Sequence, residues 1–364
     1  MLNSLTDIIN KISSPDEEAI RRASDRQAAL AKPPRSLGTL EDISIKLAGI
    51  TGQVCTSLPK KRIIVLCADN GVTEEGVSSA PVTVTAAQAM NMTHHLTGMS
   101  SMAAHFGDEV QVVDMGIATP YDNDRILNRR IMPGTNNIAK GPAMTQDDAV
   151  KAVLTGLDLV RMASEEGVNM LGVGEMGIGN TTTSAAVLCA LTGLSAEEIA
   201  GVGGGLTKEA FQHKKEIIRQ ALDINQPDRM DVIDVIAKVG GLDIAAMCGV
   251  FLGASLYRKP AVIDGFISIV AALCAYRLAP LSKEFMFTSH ASLEKGYSVA
   301  AHELGLKPLF DLEMRLGEGS GCVPAFRIID AACAAMSGMA LFGDDSGIND
   351  GYLTEIRKEE GFSR

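Results

Sequence analysis

Short apolar runs separated by longer stretches of mixed character set the pattern of this chain. Residues 62–68, 109–114, 168–173, 261–264 and 284–288 are rich in Val, Ile, Leu and Met and end in polar or glycine-containing turns. Runs of this length and composition read as buried strands. Between them lie helical segments, two of which, 244–257 and 265–276, are so apolar that they predict buried helices. Charges at Asp243, Arg258, Asp264 and Arg277 bound them, and both fall short of the roughly 20 apolar residues a bilayer span needs. Buried strands alternating with helices predict an α/β fold. The sheet should be mainly parallel, Rossmann-like, with helices on both faces. Ligands in such sheets sit beyond the carboxyl ends of the strands. Asp69, Asp114, Glu175, Asp264 and Ser289 with His290 all fall there.

The two ends of the chain follow a different rhythm. Residues 1–58 read as helical, with Ser14, Pro15 and the acidic Asp16, Glu17 and Glu18 marking a helix start. KPPRSLG at 32–38 interrupts the pattern, and 39–50 resumes it. A long apolar helix at about 325–342 lies near the other end. The organisation expected is a helical segment over 1–58, an α/β domain over 59–310, and a loop plus helical segment over 311–364. The two outer segments would form a small helical domain.

Composition narrows the function. A 364-residue chain can bury a large core. Its net charge of −11 argues against a nucleic-acid partner, which calls for a basic face. The seven cysteines form no C-x-x-C pair and the six histidines show no metal spacing, so a metal or disulfide framework is not expected. With no signal-peptide pattern at its start, the chain reads as cytoplasmic, and its cysteines as small hydrophobes in a reducing compartment.

Three glycine-rich segments carry the chemistry. GEMGIGNTT at 174–182 matches a phosphate-loop pattern with Asn180 in place of the usual lysine. Backbone N–H groups can still cradle a phosphate, but the reach toward a triphosphate is gone, which favours one phosphate over ATP. Gly179 is expected to leave room for that phosphate or to adopt positive φ. Glu175 is an odd neighbour for an anion unless it contacts a sugar or a cationic ring. GVGGGL at 201–206, followed by Lys208, Lys214 and Lys215, could assist, although a connector with solvated lysines is the commoner meaning of such a run. RLGEGSG at 315–321 places Glu318 between glycines, where a carboxylate suits a base presented into a pocket.

GEMGIGNTT and RLGEGSG, with KPPRSLG at 32–38, ADNGV at 68–72, GTNN at 134–137, GGLD at 240–243 and SHAS at 289–292, occur in order over nearly the whole chain. Together they resemble the nicotinate-nucleotide–dimethylbenzimidazole phosphoribosyltransferase family of cobalamin biosynthesis. The family's usual Asp-His-Gly-Val appears here with Asn70, which cannot titrate near neutral pH. The resemblance implies transfer of 5-phosphoribose from nicotinate mononucleotide to 5,6-dimethylbenzimidazole. It also implies a homodimer and no metal or organic cofactor. Glu318 would be the catalytic base and Glu175 would lie near the ribose. Gly177, Gly179, Asn180 and Thr181 would hold the phosphate, with Gly203, Gly204, Gly205 and Lys214 assisting. Gln88, Met314 and Leu316 would line the base pocket. Apart from the resemblance, the residues also fit a nucleotidase or a mononucleotide-binding sensor.

Overall fold

The computed structural model describes residues 2–343 and 345–358. The chain divides into two compact units, one of residues 1–13 and 60–325, the other of residues 14–59 and 326–364.

The larger unit is built on six parallel strands: β1 (Lys61–Ala68), β2 (Glu109–Gly116), β3 (Leu127–Asn128), β4 (Met170–Met176), β5 (Ala261–Ile263) and β6 (Met286–Thr288). Their order in the sheet is β3-β2-β1-β4-β5-β6. Every residue of β1 is buried, as a central strand covered on both faces requires. The order reverses between β1 and β4. Crevices at such a switch point form at the carboxyl ends of the two strands. The helices Leu242–Leu256 and Phe266–Leu278 are buried almost throughout, as their apolar sequences predict. The run expected to form a strand over 284–288 does so only from Met286, because Pro280–Phe285 takes a 3-10 turn. The two-residue β3 has no apolar run to announce it. The helix Leu2–Ile9 belongs to this larger unit and meets the helix Gln146–Glu165, although its sequence reads with the N-terminal helical segment. Residues 311–325 likewise group here rather than with the C-terminal helical segment.

The smaller unit is helical. The helix Glu17–Ala29 is capped by Asp16, whose Oδ1 accepts the Ala19 N–H at 2.9 Å, not by Ser14. The helix Thr39–Thr51 stops at Gly52, at φ +73°. Ala19, Ala23, Ala48 and Met336 form its apolar centre. Lys32, from the interrupting KPPRSLG run, is buried in an ion pair with Glu41 at 2.8 Å.

Candidate active site

At the end of β4 the chain passes Glu175, turns through Gly177 and Gly179, and enters the helix Asn180–Thr192. Gly179 sits at φ +93°, a conformation that costs any residue with a Cβ. A Cβ there would meet Thr73 at 2.8 Å and Asn70 at 3.3 Å, so the glycine serves the turn and does not clear space for a ligand. The start of this helix, Asn180 and Thr181, lines a cavity of about 280 Å³. The helix dipole makes such an end attractive to an anion, while the Asn180 and Thr182 N–H groups bond back to the Gly177 and Gly179 carbonyls at 3.1 and 2.9 Å.

Gly177, Gly179, Asn180, Thr181, Gly203 and Gly204 all line this cavity, whereas Gly205 and Lys214 do not. Lys214, on the helix Lys208–Asn225, is fully buried behind the wall. Its Nζ donates to Thr181 Oγ1 at 2.8 Å and to the Gly201 carbonyl at 3.2 Å. Burial pulls its pKa down from 10.5 to about 8. The Asn180 side chain also turns inward, donating to Glu175 Oε2 and to Asp243 Oδ2. Asn180 therefore lines the cavity with its side-chain amide committed to the carboxylates behind it.

The opposite wall is the loop that carries Glu318. Gly317, Glu318 and Gly319 have φ of +86°, +65° and +89°. At Glu318 this backbone costs strain of order 1–3 kcal/mol, which the surroundings must offset. Two buried carboxylates do so. Glu175 Oε1 accepts the Glu318 N–H at 3.3 Å, while Asp264 accepts the N–H groups of Gly319 and Gly321 at 2.9 and 2.7 Å. Gly174 in β4 lets the loop approach, since a Cβ there would lie 2.5 Å from the Glu318 carbonyl oxygen.

Glu318 is thereby only 5% exposed. Its Oε1 accepts from Gln88 Nε2 at 3.4 Å, and Asn91 holds Gln88 in turn by donating to its Oε1 at 2.8 Å. Glu318 Oε2 has no hydrogen-bond partner. Burial raises the pKa of this carboxyl, and the nearby Thr97 hydroxyl, Met99 backbone and Gln88 amide oppose the rise. Gln88, on the helix Thr83–Thr93, and Leu316 line the cavity, whereas Met314 is not part of its wall.

Carboxyl groups crowd this end of the sheet. Burial pushes Glu175 up to about 8, Asp264 up to about 7 and Asp243 up to about 6. Arg315 is the one Lys or Arg among the described lining residues. A ligand that brings positive charge to Glu175 and Glu318, and a phosphate to the helix N-terminus, would match both features.

Other residues at the strand ends take structural roles. Asn70 is 1% exposed and ties the end of β1 to the glycine turn and helix that follow β4, donating to the Ala68 and Ile178 carbonyls and accepting from Thr183 Oγ1. Asp114 faces away from the cavity and binds Arg130, Tyr121 and the Ile117 N–H, and Asp69 accepts the Ala118 N–H. Thr97 lies close to Glu318, and the wall also includes Arg315, Ser292 and Glu294. Arg315 and Ser292 lie in the RLGEGSG and SHAS runs, whereas no local sequence signal marks Thr97. Among the described residues, no group of three or more His, Cys, Asp or Glu could hold a metal ion. No described helix is long and apolar enough to cross a membrane. Most of the cysteines are buried, but Cys55 is exposed, so not all of them behave as small hydrophobes.

Comparison with known proteins places this architecture. Residues 12–347 match a family model described as phosphoribosyltransferase. A nicotinate-nucleotide–dimethylbenzimidazole phosphoribosyltransferase from Clostridium perfringens (strain ATCC 13124) is 50% identical, with 98% of each chain covered. The chain belongs to this phosphoribosyltransferase family. The enzyme of the same name from Clostridium tetani is 45% identical over 99% of each chain. The crystal structure of CobT from Thermus thermophilus superposes with a TM-score of 0.88 at 37% identity, covering 92% of this chain and 100% of that one. The α/β fold and the family resemblance read from the sequence are therefore both correct.

Proposed function

We infer that this phosphoribosyltransferase moves 5-phosphoribose from nicotinate mononucleotide to 5,6-dimethylbenzimidazole, releasing nicotinate and forming α-ribazole 5′-phosphate. The observation that carries this reading is Glu318: a buried carboxylate with one unpartnered oxygen, facing the same cavity as a phosphate-receptive helix N-terminus. The relatives that cover nearly the whole chain carry the name of this reaction.

The chemistry needs a single base. The nicotinate ring nitrogen is quaternary in the substrate, and the C1′–N bond breaks with its electron pair returning to that ring, so the leaving group needs no acid. A benzimidazole nitrogen forms the new bond to C1′, and the proton on its other nitrogen passes to Glu318. A raised carboxyl pKa brings such a base closer to the operating pH. Glu175 stands next to the Glu318 loop, where the cationic ring would favour its ionised form. Gly177, Gly179, Thr181 and the backbone of Asn180 hold the phosphate, and Gly203 and Gly204 close over it. Lys214 supports that end through Thr181. Gln88 orients Glu318, and Leu316 supplies an apolar wall for the ring.

The enzyme works as a cytoplasmic homodimer in this reading. The exposed side chains of Leu96, Leu312 and Leu316 near the Glu318 loop are apolar surface that a partner would cover. Sedimentation at micromolar concentration tests this directly. The decisive assay mixes nicotinate mononucleotide with the protein, with and without dimethylbenzimidazole, and measures free nicotinate. Release only in the presence of the base supports transfer. Release without it indicates hydrolysis, and binding without release indicates a sensor.

A further inference from the structure

We propose that His290 is a further substrate-contacting residue, whose Nε2 accepts a hydrogen bond from a ribose hydroxyl of the mononucleotide. The inference rests on the phosphoribosyl-transfer reading and adds a sugar subsite to it.

His290 follows β6 and lines the cavity, although its side chain is otherwise buried. Its protonation pattern follows from its neighbours. Ser289 Oγ donates its only proton to the Asp264 carbonyl at 3.0 Å. Toward His290 Nδ1, 3.1 Å away, that hydroxyl can therefore only accept. The proton of the neutral ring thus sits on Nδ1, where Asp264 Oδ1 at 3.9 Å also favours it. Nε2 is left as a bare acceptor, and it has no hydrogen-bond partner. A buried acceptor without a donor costs about 1–3 kcal/mol, which a ligand hydroxyl would relieve.

The ring is also fixed in place. Tyr297 stacks at 6.5 Å on it, and Phe310 lies at 6.2 Å. The Nε2 edge faces Gly265, another lining residue. A Cβ on Gly265 would stand 3.8 Å from Nε2 and 3.8 Å from Ser292 Oγ. There is thus room for an atom between these two polar groups only because residue 265 has no side chain.

A ribose hydroxyl suits this place better than the phosphate does. An acceptor nitrogen repels phosphate oxygens, whereas a hydroxyl is a donor. Burial lowers the His290 pKa and keeps the ring neutral. An uncharged acceptor does not oppose the positive charge that develops at C1′. Hydrogen bonds to a sugar hydroxyl commonly strengthen as that charge forms.

The test compares kcat/KM for nicotinate mononucleotide and its 2′-deoxy and 3′-deoxy analogues, with dimethylbenzimidazole as acceptor. Wild-type enzyme should favour the ribose substrate over one of the two analogues. His290→Leu should lower kcat/KM for the ribose substrate about five- to tenfold, the scale of one lost hydrogen bond. It should barely change the analogue that lacks the contacted hydroxyl. Equal losses for all three substrates, or no loss, would overturn the proposal. Gly265→Ala provides an independent variant that keeps the histidine: its methyl fills the hydroxyl's place, and it should erase the same discrimination. Unchanged discrimination in folded Gly265→Ala would also count against the proposal. Failure of the wild-type protein to transfer at all would bring down the underlying reading, and is seen before any variant is made.

Discussion

The two ends of the cavity are built on opposite principles. At the 177–181 end, where we propose the phosphate sits, the wall is a glycine turn leading into a helix start, with no charged side chain among residues 177–181. At the 315–321 end one side chain matters, and its backbone is strained to deliver it. In the proposed function the first end would take its affinity from regular structure, the dipole of a helix N-terminus. The second depends on Glu175 and Asp264, two carboxylates whose role is to hold backbone N–H groups. Binding can therefore rest on local geometry, whereas placement of a base requires remote elements to converge.

The sharpest way to break this comparison is to remove the base and leave the cradle. Glu318→Gln keeps the shape of the side chain but cannot readily take a proton. Turnover should fall about 10²–10⁴-fold, with calorimetric affinity for nicotinate mononucleotide nearly intact. Full activity in a folded variant across the pH range would remove Glu318 from the mechanism.

The converse change acts on the cradle. Lys214→Met removes a buried cation behind Thr181, and a hydrogen bond involving a charged group is worth about 1.5–3 kcal/mol. Mononucleotide affinity should drop by about tenfold or more. Because Lys214 loses its proton through a pKa of about 8, wild-type affinity should also weaken as pH rises past that value. In Lys214→Met that dependence should vanish. An identical pH profile in both proteins would show that the lysine is only a packing element.

The carboxylate supports have a signature in stability. Burial raises Glu175 from 4.5 to about 8, so the folded protein holds a proton that the unfolded chain has released. Its contribution is complete below pH 4.5 and is lost as pH rises through about 8. The ligand-free protein should melt several degrees lower at about pH 9 than at about pH 6, and Glu175→Gln should flatten that decline. Thermal unfolding across this range decides it; an equal decline in both proteins would refute the assignment.

The smallest effect concerns the glycine turn. Gly179→Ala must hold φ near +93° and bring a methyl 2.8 Å from Thr73. A loss of roughly 1–3 kcal/mol in unfolding free energy is expected, with kcat changed less than stability. Unaltered stability would mean that the turn relaxes freely.

Much of the fold was legible before any coordinates. Apolar runs long enough for strands but too short for helices located five of the six strands, since burial on both faces leaves little choice of residue there. The glycine segments and Glu318 stood out because a flexible, charged loop has no packing purpose. Other features had no such mark. Without the family resemblance Gln88 reads as an ordinary surface-helix residue, yet it bonds Glu318 from 230 positions away. Asn180 and Gly179 sit in the right loop but serve Glu175 and the turn, respectively, with their side-chain positions.

The sequence by itself determined most of the strand and helix content, the family, and which loops are candidates for chemistry. These depend on local periodicity, on backbone freedom at glycine and on the order of motifs along one chain. Only the tertiary structure decided which charges face one another. It turned Asp114 away from the cavity, buried Lys214 behind it and set Asp264 under the Glu318 loop. It also left His290 with a bare nitrogen at the wall. Those outcomes depend on how separate strands end beside one another, and on burial, which alone makes an unpaired charge or acceptor costly.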